Sequence, residues 1–154
     1  MKENTILPSF VTTALLSMAR SHMAANAPNQ VLEEYGEAYM HRWFLEKDRT
    51  RGSVYIHHIL RSDYDPELHD HPGDNMSILL HGAISEQLES GSRILVPGSV
   101  VLRKAEERHR LLIEEPVITL WIMGERTREW GFWMEDGSFV PSQRFFDMRS
   151  RPVA

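Results

Sequence analysis

The chain of 154 residues contains no cysteine. Disulfides, thiolate metal sites and a cysteine nucleophile are thereby excluded, and the absence fits a reducing compartment. There is no excess of basic charge either: 17 Lys and Arg stand against 22 Asp and Glu, a formal net charge of −5. A surface built for nucleic-acid phosphates carries a basic face, so duplex nucleic acid is not expected as a partner. Long apolar runs are also lacking. The best candidate for a membrane or secretory segment, Phe10 to Met23, is too short to span and is interrupted by Thr12, Thr13, Ser17 and Arg20. No membrane association is expected, and the cytoplasm is the default location. Internal repeats and low-complexity tracts are absent as well.

What is present describes one ordinary globular domain, with 42% hydrophobic and 25% charged residues. Pro8-Ser9 followed by Phe10, Val11, Ala14, Leu15, Met18 and Ala19 predicts an amphipathic helix with Ser9 as its N-cap. Ala24 to Gln30 reads as a loop, and a short helix is expected over Val31 to Glu37. Every later run reads as strand: Tyr39 to Lys47, Ser53 to Arg61, and Met76 to Leu88 bent around Gly82. Further short strands are expected at Arg93 to Val96, Ser99 to Lys104, His109 to Ile113, Val117 to Met123, Trp130 to Met134 and Phe139 to Val140. Short strands at this density of turns predict an all-β sandwich or barrel. Residues 1–37 then form a helical segment packed on a barrel of residues 38–147, with 148–154 as a flexible tail.

Among eight histidines, His69 and His71 flank Asp70 in the run Leu68-His69-Asp70-His71-Pro72. In a strand, residues two apart project to one face, so both imidazoles can reach a single ion while Asp70 points away. Downstream, Gly98-Ser99-Val100 opens a strand and His109 lies eleven residues beyond Gly98. These features resemble the two motifs of the cupin superfamily, G(x)5HxH(x)3–4E(x)6G and G(x)5PxG(x)2H(x)3N. His69, His71 and Gly82 match the first, and Gly98 and His109 match the second. The likeness covers roughly Ser53 to Met123. It departs from the pattern at Asp63, where the first glycine would stand, and at Asn75 or Met76, where the glutamate would. Lys104, Glu106 and Ile113 replace the second motif's proline, glycine and asparagine.

The resemblance implies a cupin double-stranded β-helix, a jelly-roll-like barrel, holding one divalent metal ion through His69, His71 and His109. A three-histidine set without the glutamate is that of cysteine dioxygenase-type cupins, and the stretch is also similar to small cupins of bacteria and bacteriophages. Fe(II) is the favoured ion on this resemblance, with Zn, Mn and Ni as alternatives. Three imidazoles leave an octahedral iron with open positions for a bidentate substrate and dioxygen. The expected activity is therefore a non-haem iron dioxygenase acting on a small thiol- or carboxylate-bearing molecule. The alternatives are a Zn or Mn isomerase, lyase or hydrolase, in which His57 or Tyr55 moves protons, and a non-catalytic cupin that binds a small metabolite or nucleotide.

Substrate contacts are expected from polar side chains on the strands: Arg42, Arg61, Ser77, Arg103 and Trp121. Asp74, three residues past His71, is a weaker candidate for a fourth ligand. Trp130, Phe132 and Trp133 read as core or dimer contacts, since large rings bury much apolar area. Many cupins pair through sheet edges, so a homodimer is implied by the resemblance. The N-terminal helix would bury its Phe10, Leu15 and Met18 stripe against a sheet or a partner.

Overall fold

The structure, a computed structural model, describes residues 5–149. The strand β1 (Thr5–Ile6) leads into the helix α1 (Ser9–Ala25), after which the chain is almost wholly extended. The strands β2 (Gln30–Glu34), β3 (Glu37–Asp48), β4 (Gly52–Ile59), β5 (Leu68–His69) and β6 (Asn75–His81) follow. Then come β7 (Ile84–Leu88), β8 (Gly91–Leu95), β9 (Ser99–Arg103), β10 (His109–Leu112) and β11 (Val117–Met123). The strands β12 (Gly131–Trp133) and β13 (Phe139–Pro141) precede a short helix, α2 (Ser142–Met148). They form a seven-stranded sheet, β1-β9-β6-β11-β4-β3-β2, and a six-stranded sheet, β13-β12-β5-β10-β7-β8. No helix among the described residues is long and apolar enough to cross a membrane.

The run around Gly82 is where the chain passes from one sheet to the other. β6 belongs to the first sheet and β7 to the second, and Gly82 turns the corner at φ +88°. A Cβ there would lie 2.7 Å from the Val117 Cγ1 atom, so both the backbone and the space require glycine.

The two inner faces meet in a core of Met40, Ile59, Leu79, Val101 and Val117 from the first sheet and Ile84 and Leu95 from the second. On the first sheet's outer face, Trp43, Ile56, Ile78, Leu80 and Ile118 pack with Ala19 of α1, joined by Leu15, Leu16 and Met23. The Trp43 Nε1–H donates to the Asn26 carbonyl at 2.9 Å, fixing the end of α1 to β3. The helix thus covers a sheet, but along a stripe different from the expected one. Leu15 packs inward, whereas Phe10 and Met18 are exposed at 76% and 69%. Ser9 is the first helical residue rather than the cap. Pro8 takes the N-cap position, with no side-chain hydrogen bond.

Two further expectations are corrected. Val31 to Glu37 is not helical but the hairpin of β2 and β3, with Val31 opposite His41 and Leu32 opposite Met40. Its turn is Tyr35-Gly36, at φ 53° and 80°, the pair of positive angles that a tight two-residue hairpin needs. The tail expected to fray from residue 148 begins inside α2. Phe145 of that helix stacks on Phe132 with centroids 3.8 Å apart. Arg149 is held by Asp65 at 2.9 Å and by both oxygens of Glu67. Residues 150–154 of the expected tail lie outside the described residues.

Candidate metal centre

Strand alternation places the chemistry. On β3, β4 and β11 the inward positions are Met40, Arg42 and Phe44; Tyr55, His57 and Ile59; and Thr119, Trp121 and Met123. They face a cavity of about 390 Å³ between the sheets, with Met40, Ile59 and Ile84 of the core in its wall. The opposite wall, from the second sheet, carries the three histidines. His109 at the start of β10 stands directly across from His69 on β5, and His71 follows two residues on.

Ring centroids are 4.8 Å apart for His69 and His109, 4.9 Å for His71 and His109, and 5.4 Å for His69 and His71. One nitrogen from each ring lies within 4.8 Å of the other two. The pair at 69 and 71 is held by the residue between them. Asp70 is fully buried on the far side of the strand and accepts from the Gly131 N–H and the Trp133 Nε1–H, both at 2.9 Å. Arg128 completes its shell at 2.6 Å. Asp70 is therefore a clamp between β5 and β12, not a ligand.

His109 is oriented by a residue not singled out from the sequence. Its Nδ1 lies 2.6 Å from a carboxylate oxygen of Glu86, which is wholly buried. A neutral imidazole donating Nδ1–H to that carboxylate presents Nε2 to the cluster, the usual support for a metal-binding histidine. Arg103 donates Nε–H and Nη2–H to Glu86 at 2.9 and 2.5 Å, and Arg93 reaches its other oxygen at 2.5 Å. Burial alone would raise the Glu86 carboxyl; the hydrogen bond from His109 and the Arg103 charge bring it far below the usual range. Asp63 stands near His69 Nδ1 at 3.8 Å while accepting from the Tyr39 hydroxyl and the Leu111 N–H.

These residues fit a divalent ion. His71 Nδ1 is buried without a hydrogen-bond partner. Burial, then the neighbouring His109 and His69, hold His71 well below its ordinary pKa. Burial and the Arg103 charge bring His109 down to about 4. At neutral pH both rings are unprotonated, the form that ligates. The three clustered donors are all nitrogens, and Asp74 lies apart from them. Asp74 is more than half exposed, paired with Lys104 at 2.8 Å, and accepts from the Ala105 N–H.

The cavity brings the trio together with Arg42, Tyr55, His57, Ser77, Arg103 and Trp121. Arg61 is outside it. That side chain pairs with Glu34 at 3.1 Å and lies over the Tyr64 ring. Arg103 lines the cavity, with its guanidinium engaged by Glu86 and by the Ser77 hydroxyl at 3.2 Å. His57 is a buried neutral ring whose Nε2 already accepts the Arg42 Nε–H at 2.9 Å; burial and the Arg42 charge hold its pKa well down. That nitrogen is therefore already engaged. The Tyr55 hydroxyl has no hydrogen-bond partner among the described residues, and the ring stacks near Trp121, centroids 5.9 Å apart. Of the aromatic cluster, Phe132 is core and Trp133 serves Asp70, while Trp130 and Phe146 enter the cavity wall. His41, His58 and His81 take no part in the cavity; His81 contacts Arg20 of α1 at 3.3 Å.

No family model matches the chain, and no curated protein matches it in sequence. Solved structures do resemble it. The DMSP lyase DddQ from Ruegeria pomeroyi DSS-3 superposes with a TM-score of 0.59 at 16% identity, over 93% of this chain and 73% of that one. A cupin-2 domain containing protein from Shewanella frigidimarina gives 0.51 at 11% identity, over 69% and 91%. A conserved protein with a double-stranded β-helix domain from Klebsiella pneumoniae gives 0.51 at 16%, over 66% and 89%. The fold is the cupin double-stranded β-helix. Identities this low carry architecture and no chemistry, and the cysteine dioxygenase-type reading gains nothing from them.

Proposed function

We propose that the protein is a metal-dependent enzyme that transforms a small polar molecule in the cavity between its sheets, by lyase or isomerase chemistry without an oxidant. The observation that carries this reading is one cavity with three clustered imidazoles on one wall and an unengaged phenol, Tyr55, on the other. A divalent ion held by His69, His71 and His109 would supply a Lewis acid for a substrate oxygen. The Tyr55 hydroxyl, across the cavity from the imidazoles, is the group we assign to give or take a proton at the substrate. Trp121, between Tyr55 and His71, provides a flat apolar wall that orients the substrate and excludes water. The Ruegeria neighbour is a lyase, and a lyase requires a proton acceptor but no dioxygen.

The second reading is the Fe(II) dioxygenase. It is favoured by the clustered group itself, three imidazoles with no carboxylate, which would leave an octahedral Fe(II) open positions for substrate and dioxygen. Oxygen dependence separates the two. Untagged protein reconstituted with Zn, Mn or Fe(II) is expected to turn over small carboxylic acids bearing a leaving group under strict anaerobiosis. Tyr55→Phe is expected to lower kcat about 100-fold or more with metal content unchanged. Turnover that needs dioxygen and consumes it stoichiometrically would replace the first reading by the second.

A further inference from the structure

We infer that the substrate carries a carboxylate in addition to the group it presents to the metal, and that Arg42 is the receptor for it. This deepens the reading of the cavity given above and rests on it for the word substrate.

What Arg42 lacks is a counter-charge. Most of the other well-packed arginines have a carboxylate: Arg103 and Arg93 share Glu86, Arg61 has Glu34, Arg108 has Glu89, Arg128 has Asp70, and Arg149 has Asp65 and Glu67. Arg110, which does not line the cavity, donates instead to the Asp63 backbone carbonyl at 3.2 Å. Arg42 has none among the described residues. Its Nε–H donates to the neutral ring of His57, and Nη1 makes a long contact of 3.3 Å with the Gln30 side-chain oxygen. Its guanidinium carbon lies 4.9 Å from the Tyr55 ring centroid and 5.8 Å from that of Trp121. Taking a cation out of water without a counter-ion is costly, and ring quadrupoles return only part of the loss. A protein with net charge −5 places this unpaired cation in the wall of its cavity, where a ligand's anion can complete it.

The geometry suits a carboxylate. His57 consumes the Nε edge and the flanking rings hold the guanidinium plane, so the remaining Nη1 and Nη2 hydrogens form a planar fork. A carboxylate matches that fork with two parallel hydrogen bonds. The reach is short. The Trp121 indole contacts both the Arg42 guanidinium and the His71 ring, whose centroid lies 6.2 Å from its own, so a single indole separates the anion receptor from the metal cluster. A small two-headed acid spans that gap.

The test uses succinate as the anionic probe and succinamide as its uncharged counterpart, titrated into metal-free and zinc-loaded full-length protein. Succinate is expected to shift the NMR signal of the Arg42 Nε–H in both forms, and succinamide in neither. Arg42→Gln is expected to weaken succinate about tenfold or more, Arg42→Lys to recover part of the loss, and zinc stoichiometry to stay unchanged in both variants. Because the metal-free protein is measured directly, a failure of zinc to bind would sink the proposed function and leave this inference standing. An Arg42 signal that succinate never moves, or an Arg42→Gln protein that binds succinate as tightly as the parent, would overturn it.

Discussion

Replacing Glu86 by alanine is expected to destabilise the protein by about 3–5 kcal/mol and to weaken its metal affinity about 10–100-fold. The two effects have different origins. Glu86 is completely buried and neutralises Arg103, itself only 7% exposed. Removing the carboxylate leaves that guanidinium in the interior with the Ser77 hydroxyl as its side-chain hydrogen-bond partner among the described residues. Arg93 suffers less, because its side chain keeps a quarter of its surface in water. The loss of affinity comes from His109, whose Nδ1 loses the acceptor that fixes its tautomer and ring plane. A double replacement separates them. With Glu86→Met and Arg103→Met together, the buried charges disappear as a pair, and most of the stability is expected to return. The metal affinity is not expected to return with it, since neither methionine accepts from His109. Thermal unfolding and competition against a chromogenic chelator read the two quantities; recovery of both would assign Glu86 a purely structural role.

Asp70→Ala is expected to cost a similar amount, about 3–5 kcal/mol, a fall of about 10 °C in Tm. The carboxylate is the sole partner shown for the Trp133 indole N–H and satisfies the Gly131 N–H, and it faces Arg128, all inside the clamp between β5 and β12. Asn at this position is expected to be little better. Each oxygen of Asp70 accepts from a donor, and the amide nitrogen of Asn would face one of them. The loss should reach the metal centre, because the same residue aims the histidines on either side of it. Near-ultraviolet circular dichroism of Trp133, together with zinc titration, would show both. An Asp70→Ala protein with unchanged Tm and metal affinity would mean that the clamp does not hold the pair.

Period-two alternation carried much of this architecture in the sequence. Tyr55, His57, Ser77 and Trp121 could be assigned to strands, and their inward positions follow once register is known. The separation of His69 and His71 placed both on one face, with Asp70 opposite, as the structure has it. Glu86 was not legible. Along the chain it is a lone charge within Ile84–Leu88, and its partners Arg93, Arg103 and His109 arrive from three other strands. Long-range pairing of that kind leaves no local pattern.

The misassigned elements have local causes too. Tyr35 takes φ 53°, a conformation that aromatic residues rarely adopt, so the hairpin turn lacked the usual Asn or Asp signal. The helix α2 is seven residues long and owes its place to Phe145 against Phe132, a packing contact between segments. In α1, apolar residues lie on more than one face, and only the sheet's own shape selects Leu15, Leu16, Ala19 and Met23 over Phe10 and Met18. In the sequence, Arg42, Arg61 and Arg103 are all candidate substrate contacts, although the acidic residues near Arg61 already suggest an ion pair there. The carboxylate partners of Arg61 and Arg103, Glu34 and Glu86, became visible only when strands distant in sequence were set side by side.

The most direct test of the metal centre is zinc binding to untagged protein, followed by calorimetry and elemental analysis, in the parent and in His109→Ala. The parent is expected to hold one ion per chain, and the variant, with the fold retained by circular dichroism, to lose it. A folded His109→Ala protein that still binds one zinc with parental affinity would show that the ring on β10 does not belong to the site formed by the pair at 69 and 71.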